Sequence, residues 1–230
     1  APSFGFGHGG AFEIAERLVA LAPAPLQHVF FTNSGSESVD TAIKMAMAYH
    51  RARGQAERSL FVARERAYHG VNLGGTALGG ITTNTRTFGR WAAVDHLSST
   101  LDVERNAFSK GQPKLGVEKA EELEQLILLH GAENIAAVIV EPIAGAGGVI
   151  IPPQGYLRRL REICNQYGLL LIFDEVVCAF GRTGSFTAAD EFRVQPDIMT
   201  IAKGLTNGAV PMGAVLCSGA IHDQVMDSAD

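Results

Sequence analysis

The sequence predicts an α/β protein with a mostly parallel central sheet flanked by helices, and three observations carry that prediction. Short apolar runs without polar alternation recur along the chain, as in parallel strands covered on both faces. Segments with apolar residues at helical spacing separate these runs. The chain has 230 residues, of which 47% are hydrophobic and 19% charged. That is enough for one large domain with a sizeable core.

The elements follow in a regular order. Residues 1–27 are predicted to form a leading segment with one helix, which Pro23 and Pro25 end. The predicted strands are 28–32, 60–63, 136–140, 169–173 and 197–201. The predicted helices begin at 33–37 and span 117–129 and 156–167. Residues 79–116 are rich in Gly, Thr and Asn, so we expect loop and short structure laid over the sheet.

Composition excludes several classes of function. The formal charge is −5 and no basic run occurs, so nucleic-acid binding is not expected. No stretch of 18 apolar residues and no signal-peptide pattern is present, so neither a membrane partner nor export is indicated. The three cysteines are widely spaced, which favours a reducing compartment and a cytoplasmic location. The seven histidines form no HxxxH or His/Cys cluster, so no metal site is expected.

Chemistry is expected where the strands end, because open parallel sheets bind ligands at the carboxyl ends of their strands. The residues that follow the predicted strands form an unusual set for one edge. They are Ser34, Gly35, Ser36, Tyr68, His69, Glu141, Asp174, Val176 and Lys203.

The turn Ser34-Gly35-Ser36 leads directly into a helix. The first N–H groups of a helix have no internal partner and its dipole favours an anion, so a phosphate fits there. The alternative is an ordinary N-cap with Glu37 in the first turn. The turn lacks the GK[ST] ending of a Walker P-loop, which disfavours an ATPase.

Asp174 ends the most hydrophobic strand of the chain. Strand alternation places Asp174 and Val176 on one face and Glu175 on the other. Three explanations stay open for Asp174: a metal ligand, a structural ion pair, or a partner for a cationic ring nitrogen.

Lys203 follows the apolar run 198–202, so we expect a buried amine, although a lysine reaching from a strand end to solvent is the common alternative. Pyridoxal 5′-phosphate would use the whole set of residues. The turn would hold its phosphate, Tyr68 and Val176 would cover the two faces of its ring, Asp174 would pair with the ring nitrogen, and Lys203 would form the Schiff base.

The motifs TNSGSES (32–38), YHG (68–70), IVEP (139–142), LIFDEV (171–176), FGRTG (180–184) and IAKGLTNGAVPMGAV (201–215) occur in order. This combination resembles the class III, fold type I pyridoxal-phosphate aminotransferases, and HVFFTNSGSE, NAFSKG and NIAAVIVEP are most similar to their ω-amino acid:pyruvate branch. The resemblance implies Lys203 and Asp174 as catalytic residues, and Ser34, Gly35, Ser36, Tyr68, His69, Glu141 and Val176 around the cofactor. It places Glu141 in the hydrogen-bond network of the site. It also implies that His69 supports the residues that contact the cofactor and does not itself act as a catalyst.

The resemblance also implies the reaction and the partners. An amine donor such as β-alanine would pass its nitrogen to pyruvate by a ping-pong mechanism, in a homodimer or a dimer of dimers. Val177 and Ala146 stand where 2-oxoglutarate-linked relatives commonly carry Gln and Glu, which favours pyruvate. A 2-oxoglutarate-linked aminotransferase, an aminomutase or racemase, and a cofactor-binding chain without activity are the alternatives. Residues 1–230 would be the cofactor-binding large domain of a longer protein, with an N-terminal segment and a C-terminal small domain outside this chain.

Overall fold

The computed structural model describes residues 7–89 and 92–228, so residues 1–6 of the predicted leading segment lie outside the described ranges. Within them, seven strands form one sheet in the order β1-β7-β6-β5-β4-β2-β3. The strands are β1 (Leu26–Thr32), β2 (Leu60–Arg64), β3 (Val94–Leu97), β4 (Ile135–Val140), β5 (Leu170–Asp174), β6 (Ile198–Ile201) and β7 (Gly213–Ser218). The predicted fold class, a mostly parallel sheet flanked by helices, is confirmed.

Helices cover both faces of the sheet. They are α1 (Gly9–Leu21), α2 (Gly35–Ala52), α3 (Leu73–Leu78), α4 (Thr82–Phe88), α5 (Glu122–His130), α6 (Tyr156–Tyr167), α7 (Ala188–Phe192) and α8 (Gly219–Met226). The 3₁₀ turns are Val117–Glu121, Ala132–Asn134 and Lys203–Thr206. No helix in the described ranges is both long enough and apolar enough to cross a lipid bilayer.

The core has two layers, one on each face of the sheet. Alternate residues of a strand enter opposite layers: Leu171 packs with α5 and α6, whereas Ile172 packs with α2. Both side chains are fully buried. Residues of β4 and β5 are buried along their whole length, which is why these strands read as unbroken apolar runs.

One reversed strand sets the topology. β1 pairs antiparallel with β7, and β7 pairs antiparallel with β6, whereas the β6–β5, β5–β4, β4–β2 and β2–β3 pairs are parallel. Since two reversals cancel, β1 runs in the same direction as β2 to β6. Six strands therefore end at the same edge of the sheet, and β7 begins there.

The structure corrects four details of the predicted organisation. Residues 79–116 are not only an overlay, because β3 lies within them and is an edge strand of the sheet itself. Its sequence, VDHL, has no apolar run because β3 lies at the edge of the sheet and most of its residues are only partly buried. β1 pairs antiparallel rather than parallel, and β7, its partner, was not predicted. The predicted helix 117–129 begins as a 3₁₀ turn and becomes α-helical at Glu122.

Candidate active site

A cavity of about 390 Å³ opens at the edge where the six strands end. It brings together segments that follow β1, β2, β4, β5 and β6, as expected for the carboxyl edge of such a sheet. All nine residues proposed from the sequence line it: Ser34, Gly35, Ser36, Tyr68, His69, Glu141, Asp174, Val176 and Lys203.

The N-terminus of α2 forms one wall of the cavity. Ser34 is its N-cap, and the Ser34 Oγ accepts a hydrogen bond from the Glu37 N–H at 3.2 Å. The ordinary capping interpretation is therefore correct for the Ser34 hydroxyl. Gly35 and Ser36 supply the next N–H groups, which point along the helix axis without an acceptor inside the helix. The Ser36 Oγ accepts from the Val71 N–H at 3.0 Å, which ties the loop after β2 to this wall.

Gly35 allows the helix to approach the loop after β5. A Cβ built on Gly35 would lie 2.9 Å from both Cγ atoms of Val176, closer than real side-chain contacts allow. Only a glycine lets the α2 N-terminus and the Val176 side chain line the same cavity at this separation.

Asp174 lies at the end of β5 and is 4% exposed. Its Oδ2 lies 2.8 Å from the Nδ1 of His69, and its Oδ1 accepts from the Thr200 hydroxyl at 3.1 Å and the Val176 N–H at 3.2 Å. An Nδ1 that faces a carboxylate carries the proton. The other ring nitrogen of His69, Nε2, is buried and has no hydrogen-bond partner among the described residues. Asp174 is thus held in one orientation by three donors.

Glu141 fixes the backbone of the cavity floor. Its Oε1 accepts from the Tyr68 N–H at 3.0 Å, and its Oε2 accepts from the Gly145 N–H at 2.9 Å. Burial raises the pKa of the Glu141 carboxyl, although nearby His69 and these N–H donors act in the opposite direction. The buried guanidinium of Arg64 donates to the Glu141 carbonyl oxygen at 2.7 Å.

Glu175 points away from the cavity, as strand alternation predicts. Its carboxylate accepts the N–H groups of Ala188 and Ala189, each at 2.7 Å, and so caps the start of α7. Burial raises the pKa of Glu175 to about 7. The two acids of the DEV motif therefore have different environments, and only Asp174 of the two lines the cavity.

Lys203 lies at the mouth of the cavity, and its position corrects one expectation. Its neighbours Ile201 and Ala202 are buried, but the Lys203 side chain itself is exposed rather than buried. The reason is that Lys203 opens a 3₁₀ turn where β6 leaves the sheet and the cavity faces solvent. Its φ of 47° is left-handed, a conformation that costs a non-glycine residue about 1 kcal/mol and clusters at functional sites.

Several further residues shape the site without a signal that marks them as site residues in the sequence. Thr200 contacts Asp174 because the β5–β6 register places the two opposite each other. The part that Arg64 plays in the site becomes evident from its hydrogen bond to the Glu141 carbonyl oxygen. A further wall of the cavity is formed by Val210, Pro211 and Met212, which precede β7. The apolar run of β7, GAVLC, is the signal that could have indicated this strand.

A mostly parallel sheet with helices on both faces and a cavity at its strand-end edge is the fold type I architecture. The family described as "Aminotransferase class-III" matches residues 3–229, and the chain belongs to this family.

Similar proteins include the "Omega-aminotransferase" of Caulobacter vibrioides, 55% identical over all of this chain and 53% of the relative. The "Beta-alanine--pyruvate aminotransferase" of Pseudomonas aeruginosa is 54% identical over all of this chain and 51% of the relative. Among solved structures, the Pseudomonas jessenii omega transaminase "in complex with PMP" has a TM-score of 0.92 at 37% identity, over all of this chain and 51% of that one. The chain therefore spans about half the length of these relatives.

Proposed function

We propose that this protein transfers the amino group of an ω-amino acid or amine, such as β-alanine, to pyruvate, with pyridoxal 5′-phosphate as cofactor. The observation that carries the proposal is the cavity in which Lys203, Asp174, Tyr68 and the α2 N-terminus meet from four different strands. The name of the Pseudomonas aeruginosa relative supports the same reaction, and that of the Caulobacter vibrioides relative supports an ω-aminotransferase.

The residues present fit this cofactor. The close approach at Gly35 leaves a cradle that a Cβ would fill, beside N–H groups suited to a phosphate. Asp174 is a buried carboxylate facing the same cavity, which suits a cationic ring nitrogen. When bound, pyridoxal phosphate supplies an electron-accepting ring and an aldehyde that reacts with amines.

Each side chain then has a defined task. The Gly35 and Ser36 N–H groups would bind the phosphate, and Tyr68 and Val176 would cover the two ring faces. Asp174, which His69 and Thr200 orient, would hold a proton on the ring nitrogen. The Lys203 Nζ would attach the cofactor and, as a free amine, would act as the base that moves a proton between the donor and the cofactor.

Pyruvate is the proposed acceptor. Val177 lines the cavity and packs against Gly145, where a Cβ would lie 2.9 Å from its Cγ1. This apolar wall offers no hydrogen bond to a second carboxylate, so a monocarboxylate such as pyruvate is the better match. We expect 2-oxoglutarate to replace pyruvate poorly in initial-rate assays with β-alanine. Equal kcat/KM for the two acceptors would contradict the assignment.

Borohydride reduction of the holoenzyme followed by peptide mapping tests the reaction class. We expect a pyridoxyl adduct on Lys203, and none in Lys203→Arg, which keeps the charge. Asp174→Asn should retain the adduct but lose most turnover, because the amide cannot hold the ring proton. Cofactor bound with Lys203 unmodified, or a ternary-complex rate pattern, would overturn the proposal.

We also propose a homodimer and a cytoplasmic location. The exposed apolar side chains of Val71 and Leu73 directly follow the cavity residues His69 and Gly70, and a second copy would cover them. Light scattering of the purified holoenzyme should give twice the chain mass, and a monomer would refute this part. The free cysteines Cys164, Cys178 and Cys217 are consistent with a reducing compartment.

A further inference from the structure

Two imidazoles and a carboxylate form a cluster away from the cavity. One ligand atom from each of His28, His222 and Asp223 lies within 4.8 Å of the others. The two rings stack with their centroids 3.6 Å apart and their planes 4° from parallel. None of the three residues lines the cavity described above.

The topology builds this cluster from distant parts of the chain. In the antiparallel pair, His28 of β1 lies opposite Cys217 of β7, and α8 begins at Gly219, directly after β7. The first turns of α8 therefore carry His222 back over β1, where α8 and β1 are in contact.

An irregularity in β1 turns His28 toward α8. The register shifts between Leu26 and His28. Leu26, Val29 and Phe31 all pack into the same core layer, although a regular strand would place position 26 on the face opposite to 29 and 31. After the shift, His28 alternates with Val29 and faces the other side, where α8 lies.

Metal binding requires a neutral imidazole with a free nitrogen lone pair. The His222 Nδ1 lies 2.9 Å from the Asp223 Oδ1. If Nδ1–H donates to that carboxylate, the Nε2 lone pair is free, as in the carboxylate–histidine–metal arrangement.

We propose that His28 and His222 bind a divalent transition-metal ion of the Zn²⁺ class, with Asp223 orienting His222 and water completing the coordination. Bonds of about 2.0–2.1 Å in tetrahedral geometry require ligand nitrogens about 3.3 Å apart, so the rings must rotate until their lone pairs converge. Both side chains are only partly buried, which leaves room for that rotation. Imidazole ligands select Zn²⁺, Ni²⁺ or Cu²⁺ over Mg²⁺ or Ca²⁺.

The metal would join the edge strand β1 to α8. This departs from the expectation of no metal site, which rested on spacing along the sequence. HxxxH spacing finds ligands on one helix, whereas here the two histidines come from opposite ends of the chain and meet only through the β1–β7 pair.

Calorimetric titration of the untagged holoenzyme with ZnCl₂ tests the proposal. We expect one Zn²⁺ site per chain that His28→Gln and His222→Gln each weaken at least tenfold, and that Asp223→Asn weakens about 10–100-fold. His130→Gln is the matched control, because His130 also pairs with an aspartate, Asp95, at 2.8 Å but lies outside the proposed cluster. Its affinity should equal that of the unchanged protein.

Two results would overturn the site. One is equal Zn²⁺ binding by the unchanged protein and the His28→Gln/His222→Gln double variant, which would assign the metal to the cofactor or to adventitious groups. The other is a Co²⁺ spectrum identical to that of the hydrated ion at concentrations that saturate binding. Cofactor absorbance and circular dichroism check that each variant is folded.

Discussion

Replacing Gly35 by alanine tests whether the cavity wall depends on close packing. Gly35 is the first residue of α2, and helix propensity alone would make Gly35→Ala stabilising by about 0.4–1 kcal/mol. The added Cβ would lie 2.9 Å from both Cγ atoms of Val176. Val176 is β-branched and cannot swing its methyl groups away cheaply. Overpacking of this kind costs about 1–3 kcal/mol, so the clash outweighs the propensity gain.

The expected net effect of Gly35→Ala is a loss of about 0.5–2 kcal/mol in the free energy of unfolding. Val176 lines the cavity, so any shift that the clash forces on its side chain takes room from the proposed cofactor site. If that displacement costs about 1.4 kcal/mol of binding, cofactor affinity falls roughly tenfold.

Urea unfolding and cofactor titration of four holoenzyme forms measure both effects: unchanged, Gly35→Ala, Val176→Ala and the double variant. These four forms make a double-mutant cycle, which should give a favourable coupling free energy between Gly35→Ala and Val176→Ala of about 0.5–3 kcal/mol. The reason is that Val176→Ala removes the methyl groups that clash. Gly9→Ala is the matched control, since Gly9 also begins a helix but a Cβ added there would have nothing within 4 Å. Gly35→Ala as stable as Gly9→Ala, with unchanged cofactor affinity, would refute the packing argument.

Three further predictions concern buried polar and ionisable groups. Burial raises the pKa of Glu175 from 4.5 to about 7. The protonated Glu175 side chain therefore stabilises the folded state fully below pH 4.5, and this stabilisation, about 3 kcal/mol, is lost as the pH rises through 7. Glu175→Gln should make the free energy of unfolding in urea less dependent on pH over that window. An unchanged pH dependence in the variant would contradict the assignment. Burial also raises the pKa of Cys164 and Cys178 to about 12 and of Cys217 to about 11. A thiol reagent at pH 8 should therefore label all three cysteines only after unfolding. Rapid labelling of the native protein would contradict this prediction. Thr200→Val removes the hydroxyl that donates to Asp174 and should lower the free energy of unfolding by about 1–2 kcal/mol. Thr200→Ser keeps a hydroxyl and should retain most of that stability. Equal losses in the two variants would show that the hydrogen bond does not cause the loss.

The parts of the fold that the sequence predicts are those whose burial is uniform. β4 and β5 are buried on both faces, so their apolar runs mark them within a residue or two. β3 is an edge strand that carries polar residues, and its pattern resembles a loop. β7 has an apolar run like those of the parallel strands although both of its pairings are antiparallel, so its composition does not reveal its direction.

The location of the candidate site can be predicted from the sequence because the ends of strands that run in the same direction lie at one edge of the sheet. The burial of individual side chains and their contacts cannot be predicted in this way. The amine of Lys203 was expected to be buried, yet its side chain is exposed, because the residue leaves the sheet at the cavity mouth. Thr200 and Arg64 act on Asp174 and Glu141 through register and packing, which no local pattern encodes.

The reversed strand also explains why the α2 N-terminus can be a fixed wall rather than a loose loop. β7 begins beneath it at Gly213, where a Cβ would lie 2.6 Å from the Ser34 carbonyl oxygen, the Ser38 hydroxyl and the Thr32 hydroxyl. Those groups bond to one another, with the Ser38 Oγ 2.8 Å from the Thr32 Oγ1 and 2.9 Å from the Ser34 oxygen. The N–H groups proposed to bind phosphate therefore rest on a partly buried hydroxyl network that packs against the start of β7. Because that network consists entirely of groups of this chain, its ordering cost is met on folding rather than on binding.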